Sequence, residues 1–114
     1  MRVFALIAIC LSAHAHAGEY WTLDHAPVTP LMTVELDAKL LNFACSGGTL
    51  DSYGCFDRQT GITYLRAGMN EAIRKCVARH ELKHAEGYSH PAQGYSFVDC
   101  GDGSWLSDTT IGRM

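Results

Sequence analysis

Residues 80–90 read HELKHAEGYSH. The spacing of the three histidines in this string constrains the fold of the whole chain. In an α-helix of 3.6 residues per turn, positions four apart lie on one face, one turn from each other. His80 and His84 can therefore point side by side toward one metal ion. Glu81 is rotated by about 100° from His80, so it flanks that ion without binding it. The first half of the string predicts a helix with two imidazoles and one carboxylate along one edge.

The second half of the string predicts where this helix ends. Gly87 tolerates the left-handed conformation that reverses a chain, and Pro91 prevents the helix from resuming. The reversal would bring a third histidine back toward the other two. Three protein ligands leave a fourth position open for water, which is the arrangement of catalytic zinc sites. We therefore predict three ligands of one Zn²⁺ ion: His80, His84 and His90.

Two alternatives to a catalytic metal site remain open at this point. Cys76 shares the helix face of His80 and His84, which raises the possibility of a closed structural zinc site. At a rise of about 1.5 Å per residue, however, Cys76 lies about 12 Å from His84 along the axis, so one ion cannot bind both. The other alternative is a solvated helix that carries histidines without a metal, because a motif match is a hypothesis.

The N-terminus has the pattern of an export signal. A short positive start precedes apolar residues 3–12, a run too short to span a bilayer, and an A-x-A cleavage site follows at residues 15–17. We predict a signal peptide at 1–17, a mature domain at 18–114, and a secreted or periplasmic location without stable membrane insertion. Cys10 lacks the preceding small residue of a lipobox, which favours plain secretion over lipidation.

The predicted mature domain keeps four cysteines, and an even number in a small exported chain indicates a disulfide framework. Four cysteines allow three connectivities. We favour Cys45–Cys55, which closes a short loop, and Cys76–Cys100, which ties the segment after His90 back to the helix. Free buried thiols are the alternative.

Apolar patterning predicts a mixed α+β domain. The expected elements are a strand at residues 31–36, a short helix at 37–44, a hairpin with strands at 53–56 and 62–66, and a helix capped by Asn70. The segment after residue 90 reads as irregular. The fold class that follows is a small α+β core, in which a hairpin or short sheet packs on one active-site helix and disulfides staple the whole.

The string at residues 80–90, with a hairpin before its helix, resembles the metzincin clan of the zincin metallopeptidases. This resemblance implies a zinc-dependent peptidase in which the three histidines hold the ion. It implies Glu81 as the general base, which accepts a proton from the attacking water and delivers it to the leaving amine. In the zincin core an edge strand beside the helix binds extended peptide substrate, and Ile62–Arg66 is our candidate for that strand.

The chain departs from the metzincin pattern in one respect. That pattern has a methionine in a tight turn below the metal, downstream of the third histidine. The only methionine after His90 is Met114, so we expect the methionine-turn to be absent or replaced. Tyr88 and Tyr95 are near enough in sequence to be candidate donors to a developing oxyanion, although packing roles are the commoner use of such rings. His25 is expected to be a surface histidine.

These patterns predict a secreted or periplasmic zinc peptidase whose partner is a peptide or protein substrate, peptidoglycan peptides included. A non-catalytic, disulfide-stapled envelope module that binds zinc or a partner protein is the alternative. A third reading is an accessory protein of lysis or conjugation that acts on the cell wall. The formal net charge of −3 and the lack of a basic run argue against a nucleic-acid partner.

Overall fold

The structure, a computed structural model, describes residues 21–91, 97–102 and 104–107. It has the predicted mixed α+β class. The elements in chain order are β1 (Thr22–Leu23), β2 (Met32–Leu36), α1 (Ala38–Ser46), β3 (Gly54–Asp57), β4 (Ile62–Arg66), α2 (Glu71–Ala85), β5 (Tyr88–Ser89), β6 (Phe97–Asp99) and β7 (Trp105–Ser107). The predicted signal peptide and Tyr95 lie outside the described residues. Neither helix of the described segments has the length and hydropathy that a bilayer crossing requires.

A three-stranded sheet in the order β2-β4-β3 forms the centre of the fold. The predicted hairpin is confirmed, since β3 and β4 pair antiparallel with Gly54 opposite Leu65. Strand β2 pairs parallel with β4, with Met32 opposite Ile62. Parallel neighbours need a crossover connection, and here α1 and β3 lie within it. The sheet therefore has β4 at its centre and β3 at one edge.

This strand order corrects one prediction. Ile62–Arg66 cannot bind an extended peptide by backbone pairing, because β2 and β3 already use both of its edges. In the described part of the chain β3 pairs with β4 alone, so its other edge is open. The sequence prediction failed because it treated the hairpin as isolated and did not include the parallel strand.

Helix α2 is held against the sheet by a small core. Leu65 of β4 and Ile73 of α2 are fully buried, and Val77 is 3% exposed. Burying an aliphatic side chain of this size stabilises the fold by about 1.5–3 kcal/mol. As predicted, Asn70 caps the helix, and its side chain accepts a hydrogen bond of 3.0 Å from the Ile73 amide. These contacts fix the position from which α2 presents His80.

Both predicted disulfides are confirmed. Cys45–Cys55 connects α1 to the edge strand β3, and Cys76–Cys100 connects α2 to the residue that follows β6. Their separations along the chain are 10 and 24 residues, for which loop closure alone stabilises the fold by about 3 kcal/mol each. The second disulfide ties the segment after β6 to the middle of the histidine-bearing helix.

Two short antiparallel pairs gather distant parts of the chain around the end of α2. Strand β1 pairs with β5, with Thr22 opposite Ser89 and Leu23 opposite Tyr88. Strands β6 and β7 form a hairpin in the region expected to be irregular, so that expectation was wrong. Strands of two and three residues are too short to show alternation, which is why the sequence did not predict them.

Candidate metal site

The three predicted ligands come together. The ring nitrogens of His80, His84 and His90 all lie within 4.8 Å of one another, and their ring centroids are 4.8–5.1 Å apart. These three side chains could hold one metal ion. Cys76 does not join them, because its sulfur is bonded to Cys100.

A tight turn after α2 brings His90 to the two helical histidines. The helix ends at Ala85, and Gly87 follows with a φ of 107°, a conformation that favours glycine. A Cβ at Gly87 would also collide with the carbonyl oxygen of His25. The turn therefore needs glycine both for its backbone angles and for the close approach of the segment at His25.

The Nδ1 atom of each histidine donates a hydrogen bond to a backbone carbonyl oxygen. The pairs are His80 to Asp99 (2.6 Å), His84 to Tyr88 (2.9 Å) and His90 to Pro91 (2.8 Å). A carbonyl oxygen only accepts, so each Nδ1 carries a proton, and in the neutral ring Nε2 then keeps its lone pair. Such outer partners fix the tautomer and orientation of metal-ligating histidines.

The spacing of the Nε2 atoms of His80 and His90 is compatible with a bound metal ion. The Nε2 atoms of His80 and His90 are 3.0 Å apart. When both rings are neutral and protonated on Nδ1, two lone pairs face each other at this distance, and a cation between them removes that repulsion. Two imidazoles on a tetrahedral zinc, at bond lengths of about 2.0–2.1 Å, have nitrogens about 3.3 Å apart. The three histidines could therefore hold one metal ion.

Burial keeps two of the imidazoles in the form that binds metal. It lowers the pKa of His80 to about 4, against the opposing effect of the hydrogen bond to Asp99. Burial also lowers the pKa of His84, against the hydrogen bond to Tyr88. Both rings are thus neutral at pH 7, and a metal does not have to displace a proton to bind them.

Glu81 lies beside the histidine cluster with only 5% of its surface exposed. Burial raises the pKa of this carboxyl to about 8. A carboxyl group that titrates near neutral pH can both accept and release a proton, which is what general acid–base chemistry requires. Its position next to the ligands agrees with the rotation expected for the second residue of the string.

The cluster opens into a cavity of about 490 Å³. The three histidines and Glu81 line it, together with β3 and the next residue, Arg58. The edge strand of the sheet thus borders the same cavity as the histidine cluster. Arg58 is also one of the charges that lower the pKa of His84.

Two residues at the cluster were not identified from the sequence. Trp21 is 8% exposed and Asp99 is 2% exposed, and the indole nitrogen donates a 2.8 Å hydrogen bond to Asp99 Oδ2. The ring centroids of Trp21 and His90 are 4.7 Å apart. No motif spacing connects either residue to the string, because tertiary pairing alone brings them to it.

Tyr88, the candidate oxyanion donor, does not line the cavity. Its ring packs under the Lys83 ammonium at 4.0 Å and is absent from the described cavity wall, while its carbonyl oxygen orients His84. His25 is exposed and outside the cluster, as expected for a surface histidine.

Comparisons of the chain with protein-family models, with curated proteins and with solved structures found no match. A functional proposal therefore depends on the sequence and on the geometry of this site.

Proposed function

We propose that this chain is a secreted or periplasmic zinc-dependent peptidase. The observation that carries the proposal is the convergence of three imidazole Nε2 atoms, each with its Nδ1 on a carbonyl oxygen, beside a buried carboxyl in a cavity. The residues 80–90 that supply these groups have the spacing of zincin metallopeptidases.

In this proposal the ligand residues and the acid have separate roles. His80, His84 and His90 would hold the ion, which would supply a Lewis acid and make the attacking water more acidic. Glu81 accepts a proton from the attacking water as the carbon–oxygen bond forms. The same carboxyl then delivers that proton to the amine nitrogen as the carbon–nitrogen bond breaks.

The open edge of β3 is the place for the substrate in this reading. Strand β3 lines the cavity together with the histidines and, among the described strands, pairs with β4 alone; an unpaired strand edge can bind an extended peptide through main-chain hydrogen bonds. Arg58 follows β3 and lines the same cavity, and we assign it, instead of Tyr88, as the candidate donor to the substrate carbonyl oxygen. Peptide and protein substrates, including peptidoglycan peptides, have the backbone that this edge requires.

The proposed location rests on the disulfides and the N-terminal sequence. Two disulfides in a small chain are typical of an oxidising compartment. The apolar run and A-x-A site before residue 18 are typical of export.

The test measures metal content and cleavage in the same preparation. The full chain, expressed for export so that its disulfides form, should contain one zinc per chain and cleave casein or purified peptidoglycan in a chelator-sensitive manner. His84→Ala should lose both properties, whereas Lys83→Ala, the preceding position on α2, should keep both.

Two results would contradict the proposal in different ways. Less than about half an equivalent of zinc after gentle purification argues against the metal site itself. Full zinc content without cleavage of either substrate favours the non-catalytic envelope module.

A further inference from the structure

The side chain of Trp21 contacts all three histidines of the cluster. Its ring centroid lies 5.0 Å from that of His80, 5.2 Å from that of His84 and 4.7 Å from that of His90. These separations, with the rings tilted or edge-on, are those that aromatic pairs prefer. Trp21 is almost completely buried and is absent from the described cavity wall. It therefore packs on the cluster from within the protein, away from the side that a substrate would approach.

The polar end of the same indole reaches the cluster through Asp99. The indole nitrogen donates to Asp99 Oδ2 at 2.8 Å, and the backbone oxygen of Asp99 accepts from His80 Nδ1 at 2.6 Å. The other carboxylate oxygen accepts from the Gly101 amide at 2.7 Å. Gly101 itself has a φ of 80° and lies so close to α2 that a Cβ would meet the Arg79 carbonyl oxygen at 2.7 Å. Asp99 is thus fixed between the indole, its own turn and the imidazole of His80.

Backbone pairing places Trp21 in register with the third histidine. Thr22, the next residue, is opposite Ser89, and Ser89 immediately precedes His90. The amide of His25 donates to the Gly87 carbonyl oxygen at 3.0 Å, so the segment 21–25 follows the turn that positions His90. The Trp21 side chain therefore packs on the histidine cluster, and the backbone of the same segment supports the turn that carries His90.

We propose that Trp21 is a positioning residue of the metal site, which holds the three imidazoles in their binding arrangement by ring packing and through Asp99. This inference rests on the proposed metal-binding function. His80 and His84 lie on a rigid helix, but His90 lies beyond its end, where a free imidazole would sample many orientations. Affinity depends on restricting those orientations before the ion arrives, and removing outer partners of metal ligands typically lowers affinity about 10–100-fold.

The first experiment measures how close the metal lies to the indole. The chain has two tryptophans, so Trp105→Phe leaves Trp21 as the only one. Titrating this variant of the full, oxidised chain with Co²⁺ should reduce tryptophan fluorescence by more than half at one equivalent, and excess Zn²⁺ should reverse the loss. His84→Ala in the same background should show no such quenching. Stoichiometric Co²⁺ binding without quenching would overturn the proposal.

The second experiment measures zinc affinity by competition with a chromophoric chelator. Trp21→Ala should bind Zn²⁺ about 10–100-fold more weakly. Trp21→Phe, which keeps a ring but loses the hydrogen bond to Asp99, should fall between it and the parent. Phe43→Ala removes an aromatic side chain that is 70% exposed on α1, and its affinity should equal that of the parent.

Circular dichroism and disulfide mapping identify which variants are folded. If Trp21→Ala does not fold, the zinc affinity of Trp21→Phe tests the role of Trp21. A folded Trp21→Ala or Trp21→Phe chain with the parent's zinc affinity overturns the role of Trp21 alone. A parent chain that binds neither Zn²⁺ nor Co²⁺ overturns the proposed function together with this inference.

Discussion

Replacing Glu81 by glutamine tests the proposed mechanism and the electrostatics of the site together. The carboxyl is 5% exposed, lines the cavity with His80 and His84, and has a pKa raised to about 8 by burial. Glutamine has nearly the same shape but cannot accept the proton. The variant should keep one zinc per chain and the wild-type circular dichroism, because in the proposed site only the imidazoles bind the ion. Peptide cleavage should fall by about 10²–10⁴-fold, the usual contribution of a general base.

The same substitution should alter the stability of the metal-free protein in a pH-dependent way. The pKa of Glu81 is higher in the folded chain, about 8, than its ordinary value of 4.5. Protonation therefore stabilises the fold fully below pH 4.5, and this contribution is lost as the pH rises toward 8. At about 1.4 kcal/mol per pH unit, the wild type loses about 3 kcal/mol between pH 4.5 and pH 7. Glutamine does not titrate, so the Glu81→Gln variant does not lose this stability as the pH rises.

The assay is denaturant unfolding of both metal-free proteins at several pH values from 4.5 to 8. The free energy of unfolding of Glu81→Gln minus that of the wild type should increase with pH by about 3 kcal/mol up to pH 7. Burying the amide adds a constant cost that shifts the whole curve, and the low pKa of His80 affects both proteins equally. Glu86→Gln, at an exposed position after α2, should give a flat difference.

Two results would refute this reasoning. Cleavage as fast as that of the wild type would show that Glu81 is not the base. A stability difference that does not change with pH would show that burial does not raise the pKa of Glu81 in the folded, metal-free chain.

Three further substitutions test the parts that support the site. Gly87→Ala should abolish zinc binding, measured by elemental analysis, because a Cβ collides with the His25 carbonyl and the φ of 107° is unfavourable for alanine. Leu65→Ala, at a fully buried position, should lower the free energy of unfolding in urea by about 2–5 kcal/mol, and an unchanged value would contradict the assigned core. Replacing Cys76 and Cys100 together by serine should cost about 3 kcal/mol and weaken zinc binding, whereas unchanged affinity would show that this disulfide does not position the site.

The elements predicted correctly from the sequence are those with local signals. An asparagine N-cap and a turn glycine set the ends of α2, and the turn between β3 and β4 lies within a few residues. Short separations along the chain also favoured the two disulfides that the structure shows. The parallel pairing of β2 with β4 has no such signal, because it depends on a crossover that contains both a helix and a strand.

Within the candidate site, too, residues with a local sequence signal were predicted and residues without one were not. All three imidazoles and Glu81 could be identified because they lie within eleven consecutive residues on one helix and its turn. Trp21 and Asp99 could not, because only the β1–β5 pair and the Cys76–Cys100 disulfide bring them to the cluster. An apolar ring and a single aspartate have no distinctive spacing of their own.

The position of the edge strand supports the proposal of a catalytic site over that of a structural one. Structural zinc sites are closed by four protein ligands, whereas the cluster found among the described residues has three and opens into a cavity. Strand β3 approaches α2 so closely that a Cβ on Gly54 would lie 2.8 Å from Val77 Cγ1. Strand β3 and the helix that carries Glu81 thus line one cavity together with the histidines. A module that only stored zinc would have no use for a buried carboxyl beside the histidines or for a strand edge along the cavity, whereas the proposed peptidase would use both.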